Sequence, residues 1–304
     1  MAIELTAGPD DNERRLDRVL RKALSDYSLS LIHRLLRQGK VLVNGKVATP
    51  SERVKSGQVI HIKSLVNIKQ NMVNDNTDPP AALPQILFQR SGIIVFNKPP
   101  GLATHGPHGL SSLVIANLAN TLPYSLSFKP GPLHRLDKPT SGAIVFSTTL
   151  DGARLFSRLL REHRLIKTYL AVVEGRITAG HTWEDELVRD TRIKKTYVTG
   201  TKGRENAITK VKPLSSNGKY TLLEAQIITG RTHQIRAQAA AHGHPMAGDR
   251  KYGGHGPNKL YLHAWKIEID ENSMDIPDDF PRLIVAPPPE SFRFQTDSLF
   301  NIRH

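Results

Sequence analysis

Near the N-terminus, Leu16, Val19 and Leu20 recur at helical spacing while Arg14, Arg15, Arg18, Arg21 and Lys22 fill the remaining positions, which predicts an amphipathic helix with a basic face. A second helix is expected from Ser30, as its N-cap, through Ile32, Leu35 and Leu36 to a stop at Gly39. Lys40 to Val47 then carries Asn44-Gly45 at its centre, a pair suited to the positive φ angles of a tight hairpin turn between strands. Beyond Leu65 the pattern fails. Asn71 to Pro80 is rich in turn formers and has no usable period, so residues 65–84 are read as a linker between a module at 1–64 and a larger domain at 85–304. Such a tether would let the two bodies hold different parts of one ligand, and deleting 1–64 would then weaken binding without removing chemistry.

In the larger domain, short apolar runs bounded by Gly and Pro predict strands at 92–96, 143–147, 167–175, 220–229 and 260–265. Between them, Leu155, Phe156, Leu159 and Leu160 form the apolar stripe of a helix whose other face carries Arg154, Arg158 and Arg161. A helix is also expected over 112–119. Another runs through the alanine-rich stretch after Arg231, with Thr232 as N-cap and Gly243 as terminator. Residues 189–212 hold 8 basic and 2 acidic residues around Gly200 to Gly203 and read as a basic hairpin; 286–290 reads as a terminal turn. The fold class that follows is α+β.

Composition narrows the function. Lys and Arg number 42 against 28 Asp and Glu, a net charge of +14, which favours a polyanionic partner, nucleic acid before membrane. No apolar run is long enough to span a bilayer and the first residues lack a signal-peptide pattern, so a cytoplasmic protein is expected. The chain has no cysteine, which excludes disulfides, thiolate zinc sites and cysteine nucleophiles. His242-Gly243-His244 and His255 lack carboxylates at ligand spacing, so no metal site is expected there.

The densest chemistry lies in His134-Arg135-Leu136-Asp137-Lys138-Pro139-Thr140-Ser141-Gly142, where a carboxylate stands at the mouth of a strand. An aspartate beside a turn needs no function, because its side chain bonds nearby backbone. Tyr169 at a strand entry is equally at home in a core. Arg231, at a strand-to-helix corner, can reach across a cleft and adds to the positive field of a helix start.

Taken together, His134 to Asp137 with Thr140-Ser141-Gly142, Asn97-Lys98-Pro99-Pro100-Gly101, Lys167-Thr168-Tyr169, Thr229 to Arg236, Gly248-Asp249 with Tyr252-Gly253, and Leu262-His263-Ala264 resemble the RluA-type pseudouridine synthases, in that family's order across roughly 90–290. Pro139 departs from the polar residue many members carry there. The two helices and hairpin before them resemble an S4 RNA-binding domain, with Arg34, Arg37, Lys40 and Lys46 as the expected RNA contacts. The resemblance implies a small α/β S4-like domain followed by a catalytic domain on a mixed, mainly antiparallel sheet with flanking helices. It also implies isomerisation of uridine in structured RNA, with large-subunit (23S-type) ribosomal RNA as the expected substrate and transfer RNA second, by a monomer without metal or cofactor. Asp137 would be the essential carboxylate, attacking C1′ or abstracting the C2′ proton, with Arg231 as its partner. Tyr169 and Ile235 would wall the uracil, Lys167 and His134 would border it, and Arg135 would fill the gap left by the flipped nucleotide. Two other readings are weighed. A non-catalytic RNA-binding or ribosome-assembly factor would not need Asp137, Tyr169 and Arg231 together, and a hydrolase would need a paired carboxylate or nucleophile motif that is missing.

Overall fold

The apolar runs at 93–96 and 143–146 each sit in a strand buried on both faces, 93–98 and 141–147. They lie side by side in the computed structural model, which describes residues 2–63, 82–118, 121–122, 124–200, 205–256, 259–270 and 276–301. Nine strands follow one another across an eleven-stranded sheet in the order 195–199, 181–190, 205–216, 220–227, 165–174, 262–269, 141–147, 93–98 and 86–90. Strand 283–285 adds to 262–269, and 131–132 to 141–147. Every strand pair is antiparallel except one, where Ser141 and Gly142 lie parallel to His263 and Ala264. The sheet is therefore mixed and mainly antiparallel, in an α+β fold.

Alternation along the strands sorts the core. Ile94, Phe96, Ile144 and Phe146 face the helices Leu110–Leu118 and Gln234–Ala241, while Ile93, Val95, Ala143 and Val145 face Leu150–Arg161. The parallel contact is two residues long because the strands part there. Gly142 sits at φ 110°, where a Cβ would meet the Ala264 carbonyl oxygen at 2.2 Å. Across the same strand, a bulge between Thr168 and Tyr169 brings Tyr169 opposite Ala264. The chain before Gly142 and the Tyr169 side chain thus converge on one opening in the sheet.

The N-terminal module packs helices Leu16–Ala23 and Leu29–Arg37 on a four-stranded antiparallel sheet in the order 3–6, 59–62, 41–43, 46–47. The expected hairpin forms, with Asn44 and Gly45 at φ 46° and 80°. The second helix starts earlier than expected. Ser28, not Ser30, is its N-cap, accepting the Leu31 N–H at 3.3 Å. Most of the expected linker, residues 65–81, lies outside the described residues. The module does not hang free, however, because Leu126 of the catalytic domain is buried in its core beside Leu16 and Val19.

Three other expectations are corrected. The basic stretch 189–212 is not one hairpin: strands 195–199 and 205–216 both pair with 181–190, which runs between them. The helix after Arg231 begins at Gln234 because His233 adopts a left-handed backbone, φ 56°, which no continuous helix accommodates. The terminal turn at 286–290 leads into a helix, Glu290–Phe300, which buries only Phe292 and Thr296 and so leaves almost no periodic signal.

Candidate active site

Asp137 lies on a short loop held from two directions. Its own carbonyl closes a turn by accepting the Thr140 N–H at 3.0 Å, and the preceding Leu136 exchanges hydrogen bonds with the buried Thr104 hydroxyl, N–H donating at 3.2 Å and carbonyl accepting at 2.9 Å. The segment Asn97 to Gly101 explains itself here. Lys98 is wholly buried, and its ammonium donates to the carbonyls of Pro99, Leu102 and Lys138 at 3.0, 2.8 and 3.4 Å, while the Gly101 N–H donates to Lys138. Burial pulls the Lys98 ammonium down to about 8, although Asp137 favours its charge. The lysine is a clamp on the aspartate's loop.

The partner of the Asp137 carboxylate is Arg236, not Arg231. Arg236 Nη1 donates to Asp137 Oδ2 at 2.9 Å, and the other edge of the same guanidinium donates through Nε and Nη2 to Asp249 at 2.7 and 2.8 Å. Burial works against this cation, but Asp249 and Asp137 outweigh it and hold the guanidinium above its usual range. The Tyr252 ring lies 5.0 Å from the guanidinium carbon. Arg231 precedes the helix and turns to the neighbouring strand, where its Nε donates to the Asn206 carbonyl at 3.1 Å and stands 3.8 Å from Glu205. Its backbone is fixed by Gln234 Oε1, which accepts the Arg231 N–H at 2.9 Å. Arg231 still lines the cavity above Asp137.

His233 completes the surroundings. Its Nδ1 pairs with the Tyr252 hydroxyl at 2.8 Å, and that hydroxyl accepts the Thr196 N–H at 2.9 Å. When the hydroxyl donates to Nδ1, the ring proton is on Nε2, which stands 3.6 Å from Asp137 Oδ2. Burial lowers the pKa of His233 while Asp137 draws it up. All these donors gather on Oδ2. Oδ1 of Asp137 has no protein donor among the described residues and is the oxygen available to a substrate.

Asp137, Arg135, Tyr169, Ile227 and Arg231 line two adjoining cavities, and Ile235 borders the first. The Tyr169 hydroxyl is pushed up by burial and by Asp137, so it stays protonated at neutral pH. Lys167 borders the second cavity, its pKa lowered by burial. Arg135 is exposed at the rim. His134 reaches the wall of the second cavity, but its commitments are structural: Nε2 accepts the Val145 N–H at 3.1 Å, the ring stacks on Phe156, and burial pushes it down to about 3. Arg34, Arg37 and Lys46 are exposed on the module's second helix and hairpin, with Lys40 between them.

Sequence reasoning missed Arg236, Asp249, His233 and Tyr252. The signal was present. Arg236 is the one charged residue in Gln234–Ala241, a helix otherwise of Ala, Gln and Ile, and a cation inside such a helix requires a carboxylate partner. Among the described residues no cluster of three or more His, Asp or Glu is arranged to hold a metal ion.

The sequence profile described as RNA pseudouridylate synthase matches residues 92–241, and that of the S4 domain matches 14–60. The chain is 32% identical over 284 residues to the protein named ribosomal large subunit pseudouridine synthase C of Haemophilus influenzae, covering 88% of this chain and 86% of that one. It is 32% identical over 244 residues to ribosomal large subunit pseudouridine synthase D of Xylella fastidiosa, covering 79% and 72%. Among solved structures, human RNA pseudouridylate synthase domain containing 4 aligns with a TM-score of 0.58 at 22% identity, over 70% of this chain and 92% of that one, a likeness of fold.

Proposed function

The chain belongs to the RNA pseudouridylate synthases, with an S4 domain at its N-terminus, and from that premise we propose that Asp137 is the carboxylate that drives the isomerisation of a uridine in large-subunit ribosomal RNA. The observation that carries this reading is the one-sided environment of the carboxylate. Arg236 and His233 gather on Oδ2, the arginine being fixed in turn by Asp249, so the charge is held in one orientation with Oδ1 open to the cavity. A group held in this way meets its substrate without reorganising.

The reaction balances within the substrate. The bond from C1′ to N1 breaks, the detached uracil turns, a bond from C1′ to C5 forms, and C5 gives up a proton while N1 gains one. Asp137 serves the first step, as nucleophile at C1′ or as base at C2′. Tyr169, Ile235 and Ile227 form the flat and apolar walls that keep the free uracil within reach of the sugar. Tyr169, protonated and buried beside Asp137, stands where the C5 proton is exchanged. Arg135, exposed at the rim, takes the place of the flipped nucleotide in the RNA stack. Arg231 and Lys167 supply positive potential at the cavity's edge. The names of the relatives support ribosomal RNA as the substrate, and the module's Arg34, Arg37, Lys40 and Lys46 are its contacts there.

The test is direct. Asp137→Asn is nearly isosteric, so it retains RNA binding but forms no pseudouridine in a large-subunit ribosomal RNA transcript carrying tritium at uridine C5, read as released tritium. Wild-type release by the Asn variant removes Asp137 from its role.

A further inference from the structure

We infer that the cleft between the N-terminal module and the catalytic domain is a binding site for the phosphodiester backbone of RNA, assembled from both bodies, an inference that rests on RNA being the substrate. The two bodies meet through a built contact. Asp11 of the module is wholly buried, and its carboxylate accepts the N–H groups of Gly8 at 2.9 Å, Leu126 at 2.8 Å and Ser127 at 3.0 Å, together with the hydroxyls of Ser125 at 3.0 Å and of Ser127. Gly8 lies so close to the catalytic domain that a Cβ there would overlap the Tyr124 carbonyl oxygen at 1.6 Å. Asp10 accepts the Leu150 N–H at 2.8 Å, at the start of helix Leu150–Arg161. The relative position of the bodies is therefore fixed by bonds.

Beside this contact the surface opens into a cleft lined by Arg14 and Lys22 of the module and Lys129 of the catalytic domain, over Leu126, Phe128 and Leu150. Its lining holds three cations and no carboxylate. Lys22 and Lys129 are exposed and have no ion-pair partner among the described residues. Arg14 is half-buried and gives one hydrogen bond, from Nη1 to Ser127 Oγ at 2.6 Å, which orients its guanidinium and leaves its other N–H groups unbonded among the described residues. Unpaired cations above an apolar floor are ill suited to an acidic protein surface rich in directional partners. They suit phosphates, which release their condensed counterions when Lys and Arg replace them. An oriented arginine fork adds two parallel bonds to phosphate oxygens. Because Lys129 follows the loop that carries Leu126, one strand of RNA held here touches both bodies at once.

The absence of cysteine makes the experiment clean. Lys129→Cys, labelled with an azidophenacyl group, is irradiated with a large-subunit ribosomal RNA transcript; in parallel the salt dependence of binding the same transcript is measured for wild type, Lys22→Glu and Lys129→Glu. The site predicts a crosslink from position 129 and, for each charge reversal, weaker binding with the slope of log Kd against log salt reduced by about one. Absence of the crosslink, or a wild-type slope in both charge variants, overturns it. Pseudouridine formation by the wild-type chain is read on the same transcript, so that RNA held and crosslinked but never modified supports the cleft and refutes large-subunit ribosomal RNA as the substrate.

Discussion

At the scale of single residues, the arrangement that distinguishes this site is an arginine between two carboxylates. Asp249 takes the Nε edge of Arg236 in two bonds, and one of the three remaining N–H groups goes to Asp137. The second aspartate therefore acts on the first only through the arginine, which makes it a positioning residue. Asp249→Asn loses one of two charge-assisted bonds and frees the guanidinium to tilt, and Arg236→Lys keeps the charge but loses the fork. Displacement of a reacting group by about 1 Å costs on the order of 100-fold in rate. Both variants should lose kcat by roughly that factor with KM nearly unchanged, in steady-state assays over a range of RNA concentrations; a change confined to KM would place the pair in binding. The sequence made Asp137 and Tyr169 legible because their motifs are local. The arginine was misassigned because Arg231 and Arg236 lie five positions apart in one run, and only the left-handed turn at His233 decides which of them faces Asp137.

At the scale of elements, five of the eleven strands of the large sheet were readable from apolar runs, among them 93–98 and 141–147, which are buried on both faces, whereas half-exposed strands such as 181–190 and 205–216 carry no such run. What the runs do not carry is pairing. The two-residue parallel contact that opens the sheet depends on Gly142 approaching Ala264 and on the bulge at Tyr169, neither of which has a periodic signature. His263 ties this seam together. Fully buried, its ring bonds Ser141 Oγ on the parallel strand and the Ala286 carbonyl, each at 2.9 Å. Burial pushes its pKa down to about 4, against a smaller upward pull from the Ala286 carbonyl. The unfolded chain takes up that proton near 6.5, so the stabilisation is complete above pH 6.5 and is lost as pH falls toward 4, by about 1.4 kcal/mol per pH unit for one proton. His134, pushed down to about 3, acts in the same direction. Both tryptophans, Trp183 and Trp265, are in the catalytic domain, so urea unfolding followed by their fluorescence reports it alone. The midpoint should fall steadily from pH 7 to pH 5 in the wild type and less steeply in His263→Asn; equal midpoints at the two pH values would exclude buried neutral histidines.

At the scale of the whole molecule, the chain reads as two bodies on a tether, and the structure joins them. The reason lies outside any pattern of local periodicity: Asp11 stands in a turn, and its five donors come from Gly8 and from a loop more than a hundred positions away. Leu126 is likewise counted in the sequence with the catalytic domain but is buried in the core of the module. Removing residues 1–64 therefore does more than remove RNA contacts. It exposes Leu126, worth about 2 kcal/mol, and deprives the Leu150 N–H of its acceptor, worth about 1 kcal/mol. For a domain of this size, a loss of that order lowers Tm by roughly 10 °C. The isolated domain should still modify a minimal stem-loop, since no residue of the module lines the cavity around Asp137. Asp11→Ala separates docking from deletion. With the module present but its carboxylate gone, tryptophan fluorescence should show the catalytic domain melting at the temperature of the truncated chain, while circular dichroism should show the module melting apart from it. If Asp11→Ala melts as the wild type does, in one transition at the same temperature, the buried aspartate is not what holds the two bodies together.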